Sequence, residues 1–133
     1  MKTIFGDTYY FLAVGSDIDQ GHQRAAQYAA SYQGRIVTTE WVLTEVGDAL
    51  SSPAQRARFL ELLELISDDE NSLVVEASHE LFERGVALFS QRPDKEWSLT
   101  DCISFVVMEE QGITEALTAD RHFEQAGFTV LLT

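Results

Sequence analysis

Short apolar runs alternate with longer amphipathic stretches along these 133 residues, and that alternation constrains the fold most. "KTIFGD" (2–7), "RIVTT" (35–39), "SLVVEA" (72–77), "ALT" (116–118) and the run Phe128–Leu132 read as short buried strands. The segments between them read as helices. "TYYFLAV" (8–14) fits a turn or two, and "DQGHQRAAQYAASY" (19–32) places alanines at helical spacing. "EWVLTEVGDALSS" (40–52) carries Trp41, Leu43, Val46 and Leu50 near one stripe. Pro53 marks the start of the next helix, running on through "AQRARFLELLELISD", because proline is tolerated in a first turn. "HELFERGVALFSQR" (79–92) and "SLTDCISFVVMEEQG" (98–112) complete the series, with a short helix between the last two strands.

Strands that alternate with helices join by right-handed crossovers into a parallel sheet covered on both faces. The expected fold is therefore α/β: three layers, α/β/α, around a mostly parallel sheet of about five strands. No repeat or linker interrupts it, and residues 1–133 form one domain large enough for its own core. In such sheets ligands bind beyond the carboxyl ends of the strands, which directs attention to the residues found there.

Acids occupy those places. Asp7 follows the first strand and Asp120 the fourth, while Glu45 lies inside the helix after the second. Asp101 stands in the first turn of the helix beginning at Ser98. Helical side chains lean toward the N-terminus, so Glu45 and Asp101 can reach back to the strand-end face. Each acid also has a structural reading. "SLTD" has the spacing of a capping box, Asp7 and Asp120 can cap the helices they precede, and Glu45 can be a solvated helix residue.

Charge and composition exclude several classes. Nine basic and 22 acidic residues leave a net charge of −13, which repels nucleic acid at long range. An RNA or DNA substrate would need bound metal and local arginines; Arg56 and Arg58, and Arg92 with Lys95, are the candidates. The N-terminus has one lysine and an interrupting Asp7, so it does not read as a signal peptide, and no run approaches membrane-spanning length. A single Cys102 makes no internal disulfide, and a reducing cytoplasm is the expected compartment. His22, His79 and His122 show no zinc-ligand spacing, and no zinc-protease, P-loop, dinucleotide or nucleophile-elbow motif is present. Trp41, Phe59, Phe82, Phe89 and Phe105 fall in helical stripes and read as core rather than base-stacking platforms.

Taken together, the acid-bearing segments resemble the PIN-domain family nearly end to end. "TIFGDTYYFL" is similar to its apolar strand closed by Asp and a small hydroxyl residue, and "IVTTEWVLTEV" to its second strand and following acid. "SLTDCISFVVMEEQGI" resembles the helix that carries the third acid. "ALTADRHFEQAGF" resembles the T-x-D-x-x-F segment before a glycine and a last strand. Two positions depart from the pattern: Gly6 stands where a bulkier apolar residue is usual, and Cys102 where alanine is common.

The resemblance implies a metal-dependent endoribonuclease, in many bacterial relatives the toxin of a type II toxin–antitoxin pair. Asp7, Glu45, Asp101 and Asp120 would then be the catalytic and metal-holding residues, with Thr8 and Thr118 in support. Mg²⁺ or Mn²⁺ suits such a set, because clustered carboxylates repel one another until a hard cation joins them. The implied partners are RNA, a cognate antitoxin and a second copy of the chain in a homodimer. The alternative is a catalytically weak PIN-like interaction module held by a protein partner. A phosphotransfer receiver would need paired acids after the first strand, and a haloacid-dehalogenase-like phosphatase a D-x-D, which "DTYY" does not supply.

Overall fold

The five apolar runs do become strands, and all of them lie parallel. In the computed structural model, which describes residues 1–16 and 21–133, β1 (Thr3–Gly6) leads through α1 (Thr8–Val14) and α2 (His22–Ser31) to β2 (Arg35–Thr39). Helices α3 (Glu40–Ala49) and α4 (Arg56–Asp68) connect β2 to β3 (Ser72–Val75). The chain returns through α5 (His79–Gln91) and α6 (Leu99–Gln111) to β4 (Glu115–Leu117), and α7 (Arg121–Gln125) leads to β5 (Thr129–Val130). Positions 19–20 of the helix expected over 19–32 lie outside the described residues.

The strand order is β3-β2-β1-β4-β5. Outward steps run β1 to β2 to β3 on one side; the chain then crosses back and steps β4 to β5 on the other. With right-handed crossovers, this reversal puts α1–α4 on one face of the sheet and α5–α7 on the other. Most of the packing agrees, since α1 meets α2 and α3, while α5 and α7 both meet α6; α3 and α6 also touch each other. The order reverses between β1 and β4, which pair in the register Gly6↔Leu117. Their carboxyl ends therefore flank the crevice of a doubly wound sheet, where ligands bind.

Most boundaries follow from local chemistry. Ser98 and Asp101 form a reciprocal capping box at the start of α6, satisfying two otherwise orphaned amides. Thr39 and Ser78 cap α3 and α5 through their hydroxyls. One expectation needs correction: α4 begins at Arg56, not at Pro53, because residues 53–55 form a turn in which the Ser52 carbonyl accepts from the Gln55 and Arg56 amides. β5 is also shorter than the apolar run 128–132 suggests, since it pairs only through Thr129 and Val130.

The core sets the site's geometry. Phe105 of α6 meets Phe123 of α7 edge-on at 4.9 Å and Trp97 at 5.0 Å, and Phe123 also packs on Phe5 of β1 at 6.4 Å. All four rings are buried, so α6 and α7 are fixed against β1 where their first turns carry acids. Gly6 departs from the family pattern because a Cβ there would meet the Phe11 ring at 2.9 Å. Gly85 is under a similar constraint, since its Cβ would approach Cγ1 of buried Ile103 to 2.3 Å. Gly85→Ala should therefore lower stability by about 1–3 kcal/mol through overpacking, outweighing the higher helix propensity of alanine. Denaturant titration checks this; an unchanged midpoint would mean that α5 and α6 separate easily.

Candidate active site

Asp7 does not cap α1: its side chain makes no cap hydrogen bond although it holds the N-cap position. The carboxylate turns to the crevice instead, where Oδ2 accepts from the Thr118 hydroxyl at 2.9 Å. The same hydroxyl oxygen accepts from the Asp120 amide at 3.0 Å, so Thr118 ties the ends of β1 and β4 together. Asp7 is only 5% exposed. Burial, first of all, pushes its carboxyl up to about 7; hydrogen bonds from Thr118 and the Thr8 backbone oppose the rise, and Asp101 and Asp120 add to it.

Asp101 and Asp120 do act as caps, and they also face each other. Asp101 Oδ2 accepts from the Ser98 amide at 3.2 Å, and Asp120 Oδ1 from the His122 amide at 2.9 Å. Burial raises the Asp101 carboxyl, with the neighbouring Asp120 charge adding to the shift and His122 and Ser98 opposing it. Glu45 reaches back along α3 as helix geometry demands, and its Oε1 accepts from the Thr8 hydroxyl at 2.6 Å. Three acids thus sense one another directly, while Glu45 joins through the residue next to Asp7.

The residue that sequence reasoning missed is His122. Its Nδ1 lies 3.0 Å from Asp101 Oδ2 and 3.5 Å from Asp120 Oδ1. Zinc spacing was the wrong test for it. The available signal was its place two residues after Asp120 in a five-residue helix, where the ring folds back over the helix start. Of the candidate arginines, Arg58 packs on Gly15 at the far end of α1, and Arg56 lines a groove between α3 and α4, so neither stands beside the acids. Arg121 follows Asp120 directly in the chain, is exposed, and has no ion-pair partner among the described residues.

The donor set fits a hard divalent cation. Ligand atoms from Asp101, Asp120 and His122 lie within 4.8 Å of one another, and the buried Asp7 carboxylate is close enough to feel both acids. Oxygen donors dominate, with one imidazole, a set able to hold a divalent cation. The Cys102 thiol, which would favour softer ions, is buried, and Cys102 instead lines a cavity with Phe89 and Trp97.

A family model described as PIN domain matches residues 4–129. The 23S rRNA-specific endonuclease VapC20 of Mycobacterium tuberculosis is 29% identical over 128 residues, spanning 94% of this chain and 95% of the relative. The crystal structure of that protein, described as a sarcin–ricin-loop-cleaving toxin, superposes with a TM-score of 0.86 at 26% identity, covering 95% and 96% of the two chains. A Klebsiella pneumoniae toxin–antitoxin complex shares the fold at a TM-score of 0.67 and 18% identity, covering 96% and 95%.

Proposed function

The chain belongs to the PIN-domain family, and we propose that it is a divalent-metal-dependent endoribonuclease and the toxin of a toxin–antitoxin pair. The observation that carries this reading is the buried Asp7 carboxylate, held beside Asp101 and Asp120 where the sheet reverses its order. A fold does not bury one carboxylate against two others without cost, and a cation removes the conflict.

Asp7, Asp101 and Asp120 are the proposed ligands, with Glu45 acting through the Thr8 side of the cluster. Bound there, Mg²⁺ or Mn²⁺ would supply a water of lowered pKa and neutralise charge on the phosphodiester. Thr118 holds the Asp7 carboxylate and the Asp120 backbone in fixed relation. Arg121, exposed and next to Asp120 in the chain, is the proposed contact for a substrate phosphate, which a surface of net charge −13 otherwise repels. The VapC20 relatives are named for 23S rRNA, so large-subunit rRNA is the first substrate to test. Incubation with rRNA and Mg²⁺ or Mn²⁺ should yield discrete fragments that EDTA suppresses; intact rRNA in both metals would overturn the reading. A cytoplasmic location goes with this substrate, and none of the described helices is long and apolar enough to cross a membrane.

Two surfaces suit protein partners. The groove between α3 and α4, about 1000 Å³ and lined by Leu43, Phe59, Leu60 and Leu63, offers an antitoxin an apolar seat, with Glu40 and Asp48 at its rim for basic residues. On α5, Phe82 and Val86 are 42% and 40% exposed one turn apart, the start of an apolar stripe for a second copy of the chain. Light scattering should give about twice 14.9 kDa, and Phe82→Asp should return the protein to monomer; monomer alone at high concentration rejects the dimer.

A further inference from the structure

The His122 imidazole stands beside the acids without a task in the chemistry so far assigned to them. Its Nδ1 faces two carboxylates, 3.0 Å from Asp101 Oδ2 and 3.5 Å from Asp120 Oδ1. Each carboxylate also keeps one oxygen in reserve. Asp101 Oδ2 takes the Ser98 amide and the ring, and Asp120 Oδ1 takes the His122 amide. Asp101 Oδ1 and Asp120 Oδ2 have no hydrogen-bond partner among the described residues. The starts of α6 and α7 thus offer three side-chain donors to one small volume, all within 4.8 Å of one another.

That spacing fits ligands as well as it fits a hydrogen bond. Adjacent donors around a six-coordinate ion at ~2.1–2.2 Å stand roughly 3 Å apart, close to the separations measured from Nδ1. A bare Nδ1 lone pair against carboxylate oxygens is repulsive, so either the ring's own proton or a cation must lie between them. The ring is also fixed in place. Phe123, next in the chain, is fully buried and meets Phe105 of α6 edge-on at 4.9 Å. Gln125 Oε1 accepts from Trp97 Nε1–H at 3.0 Å, which pins the other end of α7 to the segment before α6. The imidazole therefore needs no rearrangement to act as a donor. The other histidines are engaged elsewhere: His22 Nδ1 lies 2.8 Å from the Ala13 carbonyl oxygen, and His79 pairs with Glu83 on α5.

We propose that His122 is a ligand of the divalent cation through Nδ1, alongside Asp101 and Asp120, and that it biases the site toward first-row transition ions over Mg²⁺. The inference rests on the metal-dependent reading and adds a nitrogen donor to it. Mg²⁺ takes oxygen ligands and dehydrates reluctantly, whereas imidazole suits the transition ions, with affinity rising from Mn²⁺ onward. A ring that only steadied Asp101 by donating a hydrogen bond would strengthen the binding of both ions alike.

Mn²⁺ itself is the probe, because it is paramagnetic and reports its own ligands. Electron spin-echo envelope modulation of Mn²⁺ bound to wild type should show a directly coordinated ¹⁴N. That coupling should shift to ¹⁵N frequencies in protein grown on ¹⁵N-histidine and disappear in His122→Asn. Asparagine puts an amide N–H near the place of Nδ1, so it keeps a hydrogen bond to Asp101 without the nitrogen ligand. His122→Asn should weaken Mn²⁺ binding, read from the free Mn²⁺ signal, roughly tenfold or more. Displacement of Mn²⁺ by Mg²⁺ should show the affinity for Mg²⁺ hardly changed. If wild type binds Mn²⁺ without ¹⁴N coupling, or His122→Asn keeps the coupling, the nitrogen ligand is refuted while the metal-binding reading stands. If His122→Asn weakens Mn²⁺ and Mg²⁺ equally, the ring only positions Asp101 and the inference again fails. A wild type that leaves millimolar Mn²⁺ free removes both.

Discussion

Asp7→Asn is expected to melt several degrees above wild type in metal-free buffer at pH 8, while its RNA cleavage falls to background. The carboxyl titrates near 7 in the folded protein and near 3.8 when free of it. Between those values the folded state binds the extra proton, so wild-type stability declines as pH rises from about 4 to 7, and the penalty is complete above 7. About three units at ~1.4 kcal/mol each gives up to about 4 kcal/mol, and each kcal/mol is worth about 3 °C in a chain of this size. Asparagine removes the charge but keeps an oxygen for the Thr118 hydroxyl, so the 2.9 Å hydrogen bond survives. The gain should therefore vanish near pH 4, where wild-type Asp7 is neutral as well. Melts at pH 4 and pH 8 separate this from a simple packing change. A variant that melts lower than wild type at pH 8, or still cleaves, would show that Asp7 is neither strained nor needed.

The sequence disclosed the fold because the signals are local. β-branched runs, alanine spacing and the Ser98–Asp101 cap act within a few residues, and they placed the described elements to within about one helical turn at each end. The site was only half legible for the same reason. Four acids at strand ends could be listed, but Asp7 looked like a cap, and only the β1–β4 register gives it Thr118, 111 residues away, as a partner. His122 joins Asp101 through the packing of α7 on α6, which no spacing encodes. Phe82 and Phe89 failed in the opposite sense, 42% and 52% exposed where core was expected: periodicity identifies an apolar face but not what covers it.

Added Mg²⁺ or Mn²⁺ should raise the melting point of wild type strongly and that of Asp101→Asn hardly at all. A ligand that binds only the folded state at a hundred times its dissociation constant stabilises by about 2.7 kcal/mol. Losing a donor that weakens affinity about a hundredfold leaves about 0.4 kcal/mol at the same concentration. In EDTA, by contrast, Asp101→Asn should differ little from wild type. Burial and, after it, the Asp120 charge penalise its carboxylate, yet it also accepts from the Ser98 amide at 3.2 Å and lies 3.0 Å from His122 Nδ1. Relief of the first and loss of the others are each about 1 kcal/mol and opposed. This separates Asp101 from Asp7, whose removal stabilises the metal-free protein outright because burial outweighs the hydrogen bonds from Thr118 and the Thr8 backbone. Melts of wild type and both variants, with and without metal, measure the difference. If Asp101→Asn keeps the full response to metal, Asp101 is only the cap of α6; if wild type itself ignores millimolar Mg²⁺ and Mn²⁺, the carboxylates are not gathered for a cation.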